Sequence, residues 1–144
     1  MKAHILSLLL LGYSLIGFAQ QQDNSIAIGI VLPDQQEEIN AKSFKLLETK
    51  LKSVAARNGI FSDSYGSFVM YPQINIIDNA LVEGGLKNIN IVEIEMTLFV
   101  KQFDTNVGFG SCSKTLKGSG NTISDAVKNA FSKISPNDNT YAYF

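Results

Sequence analysis

Glu93 and Glu95 stand two residues apart in Ile91-Val92-Glu93-Ile94-Glu95-Met96. In a strand that spacing sends both carboxylates to one face, and paired carboxylates serve as acid and base in glycoside hydrolysis. Catalytic pairs flank a cleft, whereas these come from one strand, and Lys101 with Lys114 on the neighbouring strand offers them ion pairing as solvated sheet-face charges. A second candidate is Lys117-Gly118-Ser119-Gly120 ahead of a capped helix. Glycine backbones at a helix N-terminus present free N–H groups to an anion. The stretch fits neither the Walker pattern nor the Gly-x-Gly-x-x-Gly fingerprint, and the preferred reading is a tight strand-to-helix turn that needs glycine φ values. Together with Tyr71, these groups define a small-ligand or enzymatic alternative.

Other chemistry is excluded by what the chain lacks. Its 144 residues hold one His, one Cys and no Trp. Residues 1–19 read as a secretory leader: Lys2 supplies a positive start, Ile5 to Phe18 is almost wholly apolar, and Gly17-Phe18-Ala19 forms a small-residue cleavage site. Cleavage after Ala19 would remove Lys2 and His4 and leave 125 of the 144 residues. Of 12 basic and 13 acidic residues, 11 and 13 then remain, a net charge of −2. Histidine-dependent nucleophiles and histidine-ligated metals drop out, and no cofactor is implied. Cys112 cannot close an intramolecular disulfide and, without a histidine partner or a cluster of cations nearby, reads as a buried, inert thiol. The scattered lysines argue against nucleic acid, whose phosphates need a basic stripe. The leader is too short to span a bilayer, and no later segment does so.

The elements that must position these residues follow from periodicity. After a polar arm, 20–25, the first strand runs from Ile26 to Leu32, with Ile26, Ile28, Ile30 and Leu32 on one face; the small residues Ala27 and Gly29 opposite suggest close packing there. A helix from Ala41 to Asn58 has Asn40 as N-cap, Ile39 stapled to Phe44, and Asn58-Gly59 as its stop. Ser62 to Ser67 is a polar loop. The second strand, Phe68 to Asp78, contains Pro72, which lacks a ladder donor and so places this strand at or near an edge. Asn79 to Asn88 is a glycine-bearing loop. In the third strand, from Ile91 to Phe103, Val92, Ile94, Met96, Leu98 and Val100 alternate with polar positions, a half-buried antiparallel pattern. A fourth strand spans Val107 to Lys117. The last helix is capped by Thr122 with Asp125 and carries Ile123, Ala126, Val127, Ala130, Phe131 and Ile134 on one face. The order β-α-β-β-β-α predicts a single α+β domain over 26–136: a mostly antiparallel four-stranded sheet with both helices on one face. Residues 137–144 read as a tail whose aromatic finish, Tyr141-Ala142-Tyr143-Phe144, fits a truncated chain.

Opposite the core, Phe99 and Phe103 share the outer side of the third strand, and Phe109 on the adjacent strand can join them. A contiguous apolar patch of that kind marks either a partner surface or a face covered by a second layer or a downstream segment, and the residues do not choose between them. Further, Val82-Glu83-Gly84-Gly85, Leu98-Phe99-Val100-Lys101-Gln102 and the junction from Ser113 to Ala130 resemble segments that recur in this order in uncharacterised exported proteins of the Bacteroidota. More distantly, the element order and the Gly-Ser-Gly lead into an alanine-rich helix are similar to small α+β domains of envelope assembly proteins: the curli-transport lipoprotein, flagellar outer-membrane accessory proteins and the N-terminal domain of the Tol-system propeller. The resemblance implies a non-enzymatic protein-interaction or assembly module, periplasmic or outer-membrane-associated, that contacts envelope proteins or itself. Those lipoproteins begin at a lipidated Cys, whereas residue 20 here is Gln20, so lipid anchoring is not carried over.

Overall fold

The computed structural model describes residues 26–34, 36–61, 66–84 and 87–142. The expected leader and polar arm, most of the Ser62 to Ser67 loop, and Tyr143 and Phe144 lie outside the described residues. The elements are β1 (Ile26–Ile30), α1 (Ala41–Arg57), β2 (Ile60–Phe61), β3 (Phe68–Val82), β4 (Ile89–Gln102), β5 (Gly108–Gly120), α2 (Ile123–Ser132) and a 3-10 turn at Asn139–Tyr141. The order β-α-β-β-β-α stands, and the sheet is mixed. β3, β4 and β5 run antiparallel to their neighbours in the order β1-β3-β4-β5, while β1 is parallel to β3. The two-residue β2 adds a further parallel rung beside β1, too short to carry a periodicity of its own.

Both helices form where the caps predict. The Asn40 side chain accepts the Ser43 N–H at 2.8 Å, while Ile39 and Phe44 are both buried across that cap. α1 ends at Asn58, and Gly59 takes a φ of 74°, a left-handed conformation that costs glycine nothing. In α2 the Thr122 hydroxyl accepts the Asp125 N–H at 3.1 Å. Leu47, Leu51, Val54 and Ala55 of α1 meet Ala126, Val127, Ala130 and Phe131 of α2 over Val92, Ile94, Met96 and Leu98 of β4. Each fully buried aliphatic or aromatic side chain contributes about 1.5 to 3 kcal/mol. Both helices therefore cover one face, and the odd-numbered positions of β4 form the open face.

Pro72 is accommodated at a local edge although β3 is an interior strand. The Val31 N–H donates to the Met70 carbonyl at 3.0 Å, so Met70 turns its backbone polar groups toward β1. Pro72, two residues on, faces the same side, but β1 has ended by then and no partner asks for its missing N–H. At the next such position Gln36 Nε2 reaches the Ile74 carbonyl at 3.5 Å, and the ladder then slips between Ile76 and Asp78, leaving Ile77 as the extra residue. Across that bulge β3 continues to Val82, so Asn79 to Val82, expected as loop, is strand. Ala27 of β1 does have a close neighbour, as its small size suggests: a Cβ on Gly66 would lie 2.0 Å from the Ala27 carbonyl oxygen.

The segment expected as a tail is also part of the fold. Tyr141 is fully buried in the core cluster, and Asp138 caps the turn by accepting the Thr140 N–H at 3.0 Å.

Candidate functional site

The register decides which chemistry-bearing side chains can meet. On the open face Glu93 stands beside Lys117 of β5, and their charged groups pair at 3.0 Å. Glu95 lies between Asn75 and Thr115, and next along, Thr97 and Ser113 share a hydroxyl hydrogen bond of 2.7 Å. Tyr71 is on this face as well, with Lys101 Nζ 5.6 Å from its ring centre, but four β4 positions separate its partner Phe99 from Glu95. Both carboxylates lie on one strand, and their paired neighbours across the sheet are Asp78, Asn75, Lys117 and Thr115. Lys114, expected to pair with them, has even parity in β5 and points to the helix side, where it pairs with Asp138 and lies over the Tyr141 ring. The glutamates are thus solvated sheet charges, one of them paired.

The Lys117-Gly118-Ser119-Gly120 stretch is strand, not a turn, and neither glycine has positive φ. Its glycines answer a different need. A Cβ on Gly118 would lie 2.0 Å from the Ala126 carbonyl oxygen and 2.6 Å from the Ala130 nitrogen; one on Gly120 would lie 2.5 Å from the Ala126 nitrogen. The backbone of α2 rests directly on β5 at these two positions. The groups that would cradle an anion are also engaged: the Ser119 N–H donates to Asn129 Oδ1 at 3.2 Å, and the Lys117 carbonyl accepts from Lys133 Nζ at 2.6 Å. Both the anion cradle and the φ-driven turn are therefore corrected to a helix-on-strand contact.

Cys112 faces the helix side opposite Leu98. Burial pushes its thiol up to about 11, so at neutral pH it is protonated and a poor nucleophile. Burial, with a smaller contribution from Cys112, pushes the Tyr141 phenol up to about 12, and its hydroxyl has no hydrogen-bond partner. Among the described residues, no three His, Cys, Asp or Glu side chains gather to hold a metal ion, and no helix is long and apolar enough to cross a membrane.

The three phenylalanines do not gather into one patch. Phe99 is half-buried on the open face between Tyr71 and Ser111. Phe103 lies past the end of β4, in the turn closed by the Gln102 N–H on the Val107 carbonyl at 2.9 Å, and is 67% exposed. Phe109 sits at a bulge where β5 uses two residues against one of β4. It turns edge-on to Phe68, with ring centres 5.2 Å apart, and Phe68 packs on the helix side with the core.

A larger aliphatic surface lies elsewhere. Beyond the bulge at Ile77, the β3–β4 hairpin extends as an arm on which Ile77, Leu81, Val82, Ile89 and Ile91 are 40% to 55% exposed. Val82 pairs with Ile89 and Ala80 with Ile91, so four apolar side chains share the open face of the arm. The sequence carries a signal for it: Ala80-Leu81-Val82 is too apolar for the loop expected there.

No protein-family model matches the chain, and none of the curated proteins does. Among solved structures it is similar to a candidate lipoprotein from Caulobacter crescentus, at 10% identity and a TM-score of 0.51 over 74% of this chain and 80% of that one. Weaker likenesses are to a minor lipoprotein from Acinetobacter baumannii (16% identity, TM-score 0.42, 77% and 91% of the two chains) and a lipoprotein from Neisseria meningitidis (9%, 0.43, 67% and 85%). At such identities the first of these establishes a shared small α+β fold, and the sequence and site must supply any further reading.

Proposed function

We propose that this chain is an exported, non-enzymatic interaction module of the cell envelope that engages its partner through the β3–β4 arm. The observation that carries the reading is the arm: Ala80, Val82, Ile89 and Ile91 share its open face on paired strands rather than on a loop, and the three larger side chains are 40% to 48% exposed. An apolar surface of this kind on an otherwise polar face is the usual mark of a protein contact. The leader-like start, with its apolar run and small-residue cleavage site, supports export. The resemblance to envelope-assembly domains supports a periplasmic or outer-membrane-associated place and envelope proteins as partners. The four β4 positions between Tyr71 and Glu95 along the open face, and the placement of Gly118 and Gly120 under α2 instead, support a role in binding rather than catalysis.

Site-specific photo-crosslinking in the native host tests this reading. A photoreactive residue at Ile91 should give discrete protein adducts in the envelope fraction, while the same residue at Thr49, on the exposed side of α1, should give none. Absence of adducts at Ile91, or equal labelling at both positions, overturns it.

A further inference from the structure

β5 is an outermost strand of the sheet, with β4 on one side and no strand on the other. An antiparallel ladder bonds alternate residues to the neighbour, and the residues between them turn their N–H and C=O groups outward. In β5 the outward set is odd-numbered, because the Ser119 N–H and the Lys117 carbonyl are the groups that meet Asn129 and Lys133 outside the ladder. The same phase follows from β3: Met70 faces β1, so Tyr71 faces Phe99, Leu98 faces Cys112, and Ser111 faces out. Among the described residues, nothing meets the three N–H and three C=O groups of Ser111, Ser113 and Thr115. This window also lacks the usual guards of an edge. Its one charge, on Lys114, is drawn to Asp138 on the helix side instead of standing over the edge, where lysine ordinarily deters pairing. The bulge at Phe109 lies before the window, not in it. Gly110 beside it has no positive φ, and a Cβ there would meet nothing within 4 Å, so neither conformation nor crowding in this chain calls for glycine. A strand glycine without either cause leaves room for another backbone to approach.

We propose that the free edge of β5 from Ser111 to Thr115 receives an extended segment of a different protein as a further strand. Only an extended chain carries N–H and C=O groups at the repeat of roughly 7 Å that these outward groups present. About five residues laid antiparallel satisfy all of them over about 14 Å. The side chains of β5 set the chemistry of the segment. Residues paired with Ser111, Ser113 and Thr115 lie on the open face beside exposed hydroxyls, which suits threonine, serine or asparagine. The residue opposite Cys112 lies on the helix side, against a half-buried thiol and the open space at Gly110, which suits an aliphatic side chain. The occupant therefore alternates hydroxyl or amide residues with aliphatic ones. β5 of a second copy fits poorly: the one antiparallel register that uses the whole window sets Lys114 of each copy opposite Cys112 of the other. The site is independent of the arm, since its rungs pair with Phe99 to Glu95 of β4 and the arm starts at Ile91.

The test is amide hydrogen exchange of the full chain, read residue by residue by NMR, with and without a short capped peptide that alternates threonine and valine. In the free protein the Ser111, Ser113 and Thr115 amides should exchange fast, while those of Cys112 and Lys114, bonded to β4, exchange slowly. Saturating peptide should slow the three fast amides by at least about tenfold and leave Ile89 and Ile91 unchanged. The same peptide N-methylated at alternate residues should do nothing. Ser113→Pro removes an outward donor and no β4 bond, so it should fold and lose the protection at Ser111 and Thr115; Ser113→Ala, which loses only the hydroxyl bonded to Thr97, should keep it. If Ser113→Pro does not fold, the N-methylated peptide decides. In the native host, a photoreactive residue at Thr115 should crosslink to another protein. The proposal is overturned if the three amides are already slow in the free protein, if they slow with protein concentration alone, or if the peptide leaves them fast. It is equally overturned if the N-methylated peptide works as well, or if Thr115 yields no adduct or adducts only to this chain. Labelling at Ile91 reads the arm separately, so either site can fail without the other.

Discussion

Replacing Gly118 with alanine adds a single methyl group, yet the structure gives it nowhere to go. Its Cβ would sit 2.0 Å from the Ala126 carbonyl oxygen, 2.6 Å from the Ala130 nitrogen and 2.8 Å from the Ala130 Cβ. Ordinary contacts between such atoms are about 3.3 to 4 Å, so α2 must lift by more than about 1 Å along the turn that also buries Ala126, Val127 and Phe131. Two of the three clashing atoms belong to the helix backbone and have no rotamer to change. Overpacking of a tight core costs about 1 to 3 kcal/mol, and here the upper part of that range applies. Against it stands at most about 1 kcal/mol gained by restricting the unfolded chain. A net loss of about 2 to 3 kcal/mol, at about 3 to 5 °C per kcal/mol for a domain between those of 100 and 150 residues, lowers Tm by roughly 6 to 15 °C.

The control is Gly110→Ala on the same strand, where a Cβ meets nothing within 4 Å; its stability should match wild type or exceed it by up to about 1 kcal/mol. Urea titration followed by circular dichroism, with calorimetry for Tm, measures both. The Gly118→Ala loss should be the same in phosphate as in a buffer without it, because the cause is a steric contact. If Gly118→Ala lies within about 0.5 kcal/mol of Gly110→Ala, or if its loss appears only with phosphate present, the helix-on-strand explanation of these glycines fails.

Phe131→Ala, which empties the fully buried centre of the α2 stripe, should cost about 3 to 5 kcal/mol in a denaturant melt, while Lys128→Ala on the exposed side should cost under about 0.5. At alkaline pH the raised thiol and phenol give a definite sign: with Cys112 moved from 9.0 to about 11 and Tyr141 from 10.0 to about 12, the unfolded chain loses these protons first. Their contribution is whole below about pH 9 and is lost as pH rises through 9 to 12, so the urea midpoint should fall from pH 8 to 11 and fall less in Cys112→Ala. Tyr141→Phe removes a buried hydroxyl that has no partner and should be neutral or stabilising by up to about 1 kcal/mol at pH 7; a loss above about 1 kcal/mol would mean that the hydroxyl is bonded after all.

What could be read from the sequence was whatever a single residue type settles locally. β4 was legible because Val92, Ile94, Met96 and Leu98 alternate with Glu93, Glu95 and Thr97, and only one face of a sheet fits that pattern. α1 was legible from Asn40, the Ile39–Phe44 staple and Asn58-Gly59, because caps act within one turn. The glycines at 118 and 120 were misread because glycine has two physical causes, a φ only it tolerates or a space only it fits, and the second depends on where Ala126 and Ala130 of another element come to rest. Pro72 correctly signalled a missing partner, but the edge is local, created by β1 stopping at Ile30. Phe109 was assigned to the wrong side because the bulge in β5 breaks the parity on which the assignment relied. Tyr141 was read as tail because its burial depends on Lys114 and Asp138 holding the turn against β5, and no periodicity announces such a contact.

The same register that disperses the candidate catalytic groups also sorts the surface. Along the open face the central rungs are polar, with Gln73, Asn75, Glu95, Thr97, Ser113 and Thr115 side by side. Part of the edges is occupied: Pro72 offers no donor where β1 has ended, Gln36 covers the Ile74 carbonyl, and Asn129 and Lys133 cover the Ser119 N–H and the Lys117 carbonyl. Edge protection of this kind prevents strands of separate molecules from pairing laterally at those rungs. Surfaces left apolar merely by default would not spare the central rungs while concentrating large side chains on the open face of the arm. Ile89 and Ile91 of β4, with Val82 opposite Ile89, are therefore the side chains on which the proposed contact rests. Adduct yield from a photoreactive residue at Ile91 should fall sharply with Ile89→Asp and stay unchanged when Gln73 or Thr115 is replaced by alanine.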